Sequence, residues 1–193
     1  MKFKKQLRVK KQLENVITME REKKDNSRNL YIGIGSNLNN PIHQLNIAIE
    51  YLSKIDFSHN MKIASFYESP PMGPSDQNNY INTAIMFSSS ESPEDILITL
   101  KDIENSMGRK KSTIRWSERT IDLDIILLGD LVYESDSLTI PHMYAHERAF
   151  VLFPLLDLNP DIFIPKKGFA KDLVKDCLYR NIKKIENNER FEI

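Results

Sequence analysis

The sequence predicts an α+β fold with the element order β-α-β-β-α-β. Three observations predict it. Short apolar runs rich in β-branched residues are bounded by turn-forming residues. Two segments carry apolar residues at helical spacing behind a proline-led start. The two kinds of segment then alternate in that order. This is the ferredoxin-like arrangement, an antiparallel sheet with both helices packed on one face. The chain has 193 residues, a length that suits one domain, and its 40% hydrophobic content supplies a core.

The first strand is Leu30 through Gly35, closed by the turn-forming Ser36, Asn37, Asn39 and Asn40. Pro41 opens the first helix, at a position where its missing N–H costs nothing. Ile42, Leu45, Ile49 and Leu52 then recur at helical spacing. A second strand is expected over 61–68 and a third over 80–88. Between them lies a loop stiffened by Pro70, Pro71 and Pro74, whose rings fix φ. Ser92, Pro93, Glu94 and Asp95 mark a helix start: an N-cap, a proline and two first-turn acids. Ile96, Leu100, Ile103 and Met107 follow at helical spacing, and Gly108 ends the helix. Residues 109–119 read as a basic loop and 121–128 as a strong strand. A short helical turn through Arg148, an apolar stretch over 150–158 and a C-terminal helix from Lys171 complete the chain.

Residues 1–28 carry ten Lys/Arg against four acids, a net of +6, which leaves the remainder at −6. We read them as a solvated basic extension outside the fold, with the domain over 29–193. A basic tail is also the composition of a nucleic-acid or membrane-surface contact. No run approaches the ~20 apolar residues that span a bilayer, and no secretory apolar segment follows the charges. Cys177 has no cysteine partner within the sequence and reads as a core residue. A reducing, cytoplasmic setting is expected.

The stretch from Arg119 to Ile125 is the most informative. On a strand, side chains at i and i+2 point the same way. Asp122 and Asp124 therefore project together, while Ile121, Leu123 and Ile125 face the core. Adjacent carboxylates repel, and a hard divalent cation relieves that repulsion. Alone, such a pair is a weak metal signal. Arg109, Lys110, Lys111, Arg115 and Arg119 precede it, and phosphate needs cations opposite its oxygens. Basic loop plus acid pair is the composition of a nucleotide–Mg²⁺ site. Gly33 and Gly35 lack the Gly-Lys-[Ser/Thr] that would complete a Walker A motif. His142 and His146, four apart, lack a third ligand, and a phosphate contact is the better reading of His142. Tyr80, Asn82, Trp116 and Phe150 are candidates for a slot that holds a planar acceptor.

Four blocks then become specific: YIGIGSNL from residue 31, SFYESPPMGPSDQNNYINTAI from 65, RWSERTIDLDIILLG from 115 and IPHMYAHERAFVLFPLLDLNPD from 140. Over residues 30–165 the chain resembles the 6-hydroxymethyl-7,8-dihydropterin pyrophosphokinases of folate biosynthesis. The resemblance implies transfer of the β,γ-diphosphate of ATP to the pterin hydroxymethyl oxygen, with release of AMP. It implies two Mg²⁺ ions on Asp122 and Asp124, and ATP as co-substrate. It implies a pterin stacked between Tyr80 and Phe150, read by Asn82 and the backbone around Ser69, Pro70 and Met72, and closed over by Trp116. Arg109 and Arg119 match catalytic arginines. Glu104, Lys111, Ile125, Thr139, His142 and Arg148 match the nucleotide side. The expected partners are small molecules and other folate-pathway enzymes, with no nucleic acid and no membrane. Departures are Ser117-Glu118, where the family usually has Gly-Pro, Met143, where an aromatic is frequent, and Ser137, where a basic residue can occur. Two other readings remain open: a non-catalytic ferredoxin-like RNA-binding module and a metal-dependent phosphohydrolase.

Overall fold

A computed structural model describes residues 27–72, 76–109, 118–177 and 181–186. Its main sheet is built from β1 (Arg28–Ser36), β2 (His59–Ile63), β3 (Tyr67–Ser69), β4 (Tyr80–Ser89), β5 (Asp122–Leu128) and β10 (Lys183–Lys184). β1 lies centrally, antiparallel to β4 on one side and β5 on the other. The path β10-β3-β4-β1-β5, with β2 also on β4, is the predicted ferredoxin-like order. Arg28 pairs with Ser89, so the sheet starts one residue before the expected boundary.

Local signals set the helices. α1 (Pro41–Ser53) starts behind Asn40, whose side chain accepts the His43 N–H. α2 (Pro93–Ser106) starts behind Ser92, whose hydroxyl accepts the Asp95 N–H at 3.1 Å. Each cap satisfies a donor that the first helical turn leaves unpaired. Both helices pack on one face of the sheet. There Leu30, Ile32, Ile34, Ile85, Phe87, Leu123 and Ile125 meet Leu45, Leu52, Ile96 and Leu100 in one buried cluster.

The structure divides the strand expected over 61–68 into β2 and β3. At the break, Ser65 gives its N–H to Asp157 Oδ2 rather than to a neighbouring strand, and Thr83 Oγ1 bonds the carbonyls of Ala64 and Ser65. The apolar stretch over 150–158 is a helix, α3 (Ala149–Leu158), which with α4 (Ala170–Asp176) covers part of the second sheet face. Tyr31, Ala84, Ile126 and Leu127 meet Leu152, Leu155 and Ala170 there. The alternation along β5 is broken by a bulge: Tyr31 pairs with Leu127 and Ile32 with Ile125, which leaves Ile126 as the extra residue. Two small hairpins complete the described chain, β6 (Tyr133–Glu134) with β7 (Thr139–Ile140) and β8 (Phe163–Ile164) with β9 (Gly168–Phe169). Among the described residues, no helix is long and apolar enough to cross a membrane.

Candidate active site

The second sheet face is only partly covered, and a cavity opens where the covering stops. Its floor comes from alternate residues of three neighbouring strands: Gly33 and Gly35 of β1, Asn82 and Ala84 of β4, Asp122 and Asp124 of β5. These are the positions that β-strand alternation turns away from the α1–α2 core. Two of them sit close under neighbouring side chains. A Cβ at Gly35 would lie 3.1 Å from Asn82 Oδ1, and one at Gly33 would lie 3.1 Å from the Ile126 side chain.

One wall is electrostatic. Asp122 accepts Arg119 Nη1 at 2.5 Å on one oxygen and Arg109 Nη1 at 2.7 Å on the other. Among the described residues no arginine pairs with Asp124 in this way. Burial, and then the adjacent Asp122 charge, push its carboxyl up to about 7. A divalent cation would remove both causes, so the donor pair fits Mg²⁺ chemically. No group of three or more His, Cys, Asp or Glu side chains converges for a metal among the described residues. The remaining coordination would therefore come from water and substrate oxygens, as Mg²⁺ commonly accepts.

The other wall is aromatic and cationic. Tyr80 and Phe150 both line the cavity. The Arg148 guanidinium carbon lies 5.8 Å from the Phe150 ring centroid and 5.1 Å from that of Tyr144. Among the described residues its buried Nε has no hydrogen-bond partner, a cost that an anionic or carbonyl ligand would relieve. His142 also lines the cavity. Burial and the Arg148 charge lower its pKa to about 4, so the ring is neutral at neutral pH. The Tyr144 N–H donates to Nδ1 at 3.2 Å, which assigns the proton to Nε2 and makes that atom a donor.

Ser69, Pro70 and Met72 form the rim beside Tyr80. Asn82 donates Nδ2 to Ser69 Oγ at 2.9 Å, which orients its amide over Gly35. Arg119, Asp122, Asp124, Ser69, Pro70, Met72, Tyr80, Asn82, His142, Arg148 and Phe150 all line this one cavity.

Three residues expected on the nucleotide side do not line the cavity. Ile125 faces the α1–α2 core, as its odd position on β5 requires. Thr139 sits in the β6–β7 hairpin, opposite Glu134. Glu104 is buried behind the strand. It accepts the Leu123 N–H at 2.7 Å and Lys101 Nζ at 2.9 Å, and it ion-pairs with Arg109. It therefore holds Arg109 and the backbone between the two aspartates. Lys111 and Trp116 lie outside the described residues. Gln77, Thr83 and Val151 also line the cavity. Strand parity with Asn82 does not pick out Thr83, and nothing in the local pattern marked the other two.

Cations and carboxylates suited to a metal-bound polyphosphate share the cavity with ring surfaces suited to a flat molecule. A cavity of that kind belongs to a kinase-type transferase. The family model described as 7,8-dihydro-6-hydroxymethylpterin-pyrophosphokinase matches residues 31–160. The chain is similar to the 2-amino-4-hydroxy-6-hydroxymethyldihydropteridine pyrophosphokinase of Haemophilus influenzae, 41% identical over 145 residues, covering 75% of this chain and 90% of that one. The protein of the same description from Pseudomonas aeruginosa is 33% identical over 156 residues, covering 81% and 96%. This chain belongs to the pyrophosphokinase family so described. A Plasmodium falciparum HPPK-DHPS structure with pterin and p-hydroxybenzoate shares the fold, at a TM-score of 0.62 and 13% identity over 82% of this chain. The match spans 46% of that longer protein.

Proposed function

We propose that the cavity on the second sheet face carries out the family reaction, with the roles given below. As a member of the family, the chain is an ATP-dependent pyrophosphokinase of folate biosynthesis. It transfers diphosphate from ATP to the hydroxymethyl group of 6-hydroxymethyl-7,8-dihydropterin and leaves AMP. The observation that carries the site assignment is that Asp122, Asp124, Tyr80 and Phe150 line one cavity.

In this reading Tyr80 and Phe150 hold the two faces of the pterin, and Asn82 with the rim at Ser69, Pro70 and Met72 reads its edge. That fixes the hydroxymethyl oxygen toward the β-phosphorus of ATP. The oxygen bonds to that phosphorus and gives up its proton to solvent, the bond from the β-phosphorus to the α,β-bridging oxygen breaks, and AMP leaves with that oxygen. Asp122 and Asp124 would hold two Mg²⁺ ions, which when bound neutralise phosphate charge and align the phosphate oxygens. Arg119, which lines the cavity, and Arg109, which shares Asp122 with it, would stabilise charge that builds on the phosphates. The neutral His142 offers Nε2–H to a phosphate or ribose oxygen, and Arg148 offers the unpartnered Nε. Trp116 and Lys111 belong, on the resemblance, to the loop that excludes water so that the alcohol attacks. Glu104, Ile125 and Thr139 act on the nucleotide side from behind the cavity or through backbone groups. The basic extension read over 1–28, of which 1–26 lie outside the described residues, has no part in this reading, and a cytoplasmic setting with other folate-pathway enzymes as neighbours suits it.

The test is AMP release from ATP and Mg²⁺ with and without the hydroxymethyldihydropterin. AMP that depends on the pterin is the expected result. Inorganic phosphate release without pterin would replace this reading with a phosphohydrolase.

A further inference from the structure

The cavity has an acceptor wall and a phosphate wall, carried by segments far apart in sequence. One buried side chain ties them together. Asn37 follows β1 and is 1% exposed. Its Oδ1 accepts the Arg119 N–H at 2.9 Å, and its own N–H donates to the Arg119 carbonyl at 3.2 Å. Its Nδ2 donates to the Asn78 carbonyl at 3.4 Å. The Arg119 peptide is thus gripped on both its N–H and its C=O, while the same amide reaches the loop that leads into Tyr80.

Each tethered segment ends on a working group. Arg119 places its guanidinium on Asp122 Oδ2. Asn78 lies two residues before Tyr80, the ring on the acceptor wall. The third segment is the end of β1, whose Gly35 lies under Asn82 Oδ1. A buried amide that presents a donor and an acceptor in opposite directions suits such a bridge. An aliphatic residue in its place would leave the Arg119 N–H and the Asn78 carbonyl without these partners.

We propose that Asn37 is a positioning residue that sets the distance between the two substrates, by coupling the Arg119 segment to the Tyr80 loop. It touches neither substrate. The proposal rests on the reading of the cavity as a diphosphate-transfer site. Its consequence is specific: each substrate binds its own wall, but the attacking oxygen and the β-phosphorus no longer meet in line. A misplacement of about 1 Å costs about 100-fold in rate.

The experiment is single-turnover AMP formation with enzyme in excess, in the full chain and in Asn37→Ala. The rate constant should fall about 100-fold. Affinities for a non-hydrolysable ATP analogue with Mg²⁺ and for the pterin, each measured alone, should stay within about threefold, well under that loss. A merely structural role would lower the amplitude, through a smaller folded fraction, and leave the rate constant unchanged. Asn37→Asp provides the second variant. It keeps an acceptor for the Arg119 N–H but lacks the donor to Asn78 once ionised, and as a neutral acid it regains an O–H donor. Its rate relative to wild type should therefore rise as pH falls. A wild-type rate constant in Asn37→Ala, an equal loss in either binary affinity, or a pH-independent Asn37→Asp ratio would each overturn the proposal. A wild-type chain that forms no AMP with pterin present would instead defeat the underlying reading of the cavity.

Discussion

The two faces of this sheet are built from the same strands and differ in almost everything else. On the α1–α2 face, Ile32, Ile34, Leu123 and Ile125 are buried in one apolar cluster. On the other face, the residues between them are Gly33, Gly35, Asp122 and Asp124, which open a cavity. A period of two lets one strand serve both purposes, because away from the bulge successive side chains turn to opposite faces. The comparison teaches where stability and chemistry separate. β5 is the clearest case: a one-residue step along it moves from a dry core to a carboxylate whose pKa burial and its neighbour raise to about 7.

The separation is broken most severely at adjacent positions of β5. Asp124→Ala should lower kcat by about 10³-fold or more, since metal-based charge stabilisation contributes several kcal/mol. The melting temperature should hold or rise, because a partly buried, repelled carboxylate is gone. Leu123→Ala should do the reverse, losing about 2–5 kcal/mol of stability while the folded fraction keeps most of its turnover. Thermal melts beside steady-state AMP assays decide the matter. Asp124→Ala with near-normal turnover would remove the metal assignment.

Much of this contrast was legible in the sequence. The paired aspartates, the helix starts at Pro41 and Ser92 and the order of the elements follow from local spacing and turn chemistry. What was not legible depends on contacts between distant residues. The break between β2 and β3 follows from Asp157, which takes the Ser65 N–H from 92 positions away. Glu104 shares a helical face with core residues in the sequence pattern, yet its carboxylate lies on the Leu123 N–H, 19 positions on. The bulge at Ile126, which sends Leu127 to the second face, has no signal in a run of consecutive apolar residues. Asn37 read as a turn residue, because its partners at 78 and 119 are set by the fold.

A subtler break concerns what occupies Asp122. Arg119 and Arg109 each hold one of its oxygens. A cation on that carboxylate must displace them. Arg119→Ala should therefore bind Mn²⁺ alone several-fold more tightly than wild type, by electron paramagnetic resonance titration, while kcat with ATP and pterin falls about 10- to 100-fold. Opposite signs in the two measurements are the signature. If metal affinity falls together with turnover, the arginine supports the metal site rather than competing for it.

Gly35→Ala tests the floor itself. The added Cβ meets Asn82 Oδ1 at 3.1 Å, so the amide must give by a few tenths of an ångström. A shift of that size in an edge-reading group should raise the pterin KM about three- to tenfold and leave the ATP KM unchanged. The matching change at Gly33 presses on the Ile126 side chain, which is apolar and more compliant. Its effect on pterin should be smaller. Equal damage from both would mean that the floor excludes bulk without reading the pterin edge.

The smallest expected effect is the pH dependence of stability in the metal-free protein, because two groups on this face oppose each other. The Asp124 pKa is raised by burial and Asp122 from 3.8 to about 7. Its contribution is fully present below 3.8 and is lost as pH rises toward 7. His142 is lowered by burial and Arg148 from 6.5 to about 4. Its contribution is present above 6.5 and is lost as pH falls toward 4. Between pH 4 and 6.5 the two slopes have opposite signs, and the melting temperature should change little on their account. Saturating Mg²⁺ holds Asp124 ionised, since a bound cation must displace its proton. The His142 slope then stands without its opponent, and the melting temperature should climb with pH across the same window. His142→Gln should flatten the metal-saturated profile. A metal-free profile that already climbs steeply would mean that Asp124 is ionised without a cation, and that Arg109 and Arg119 neutralise both carboxylates rather than Asp122 alone.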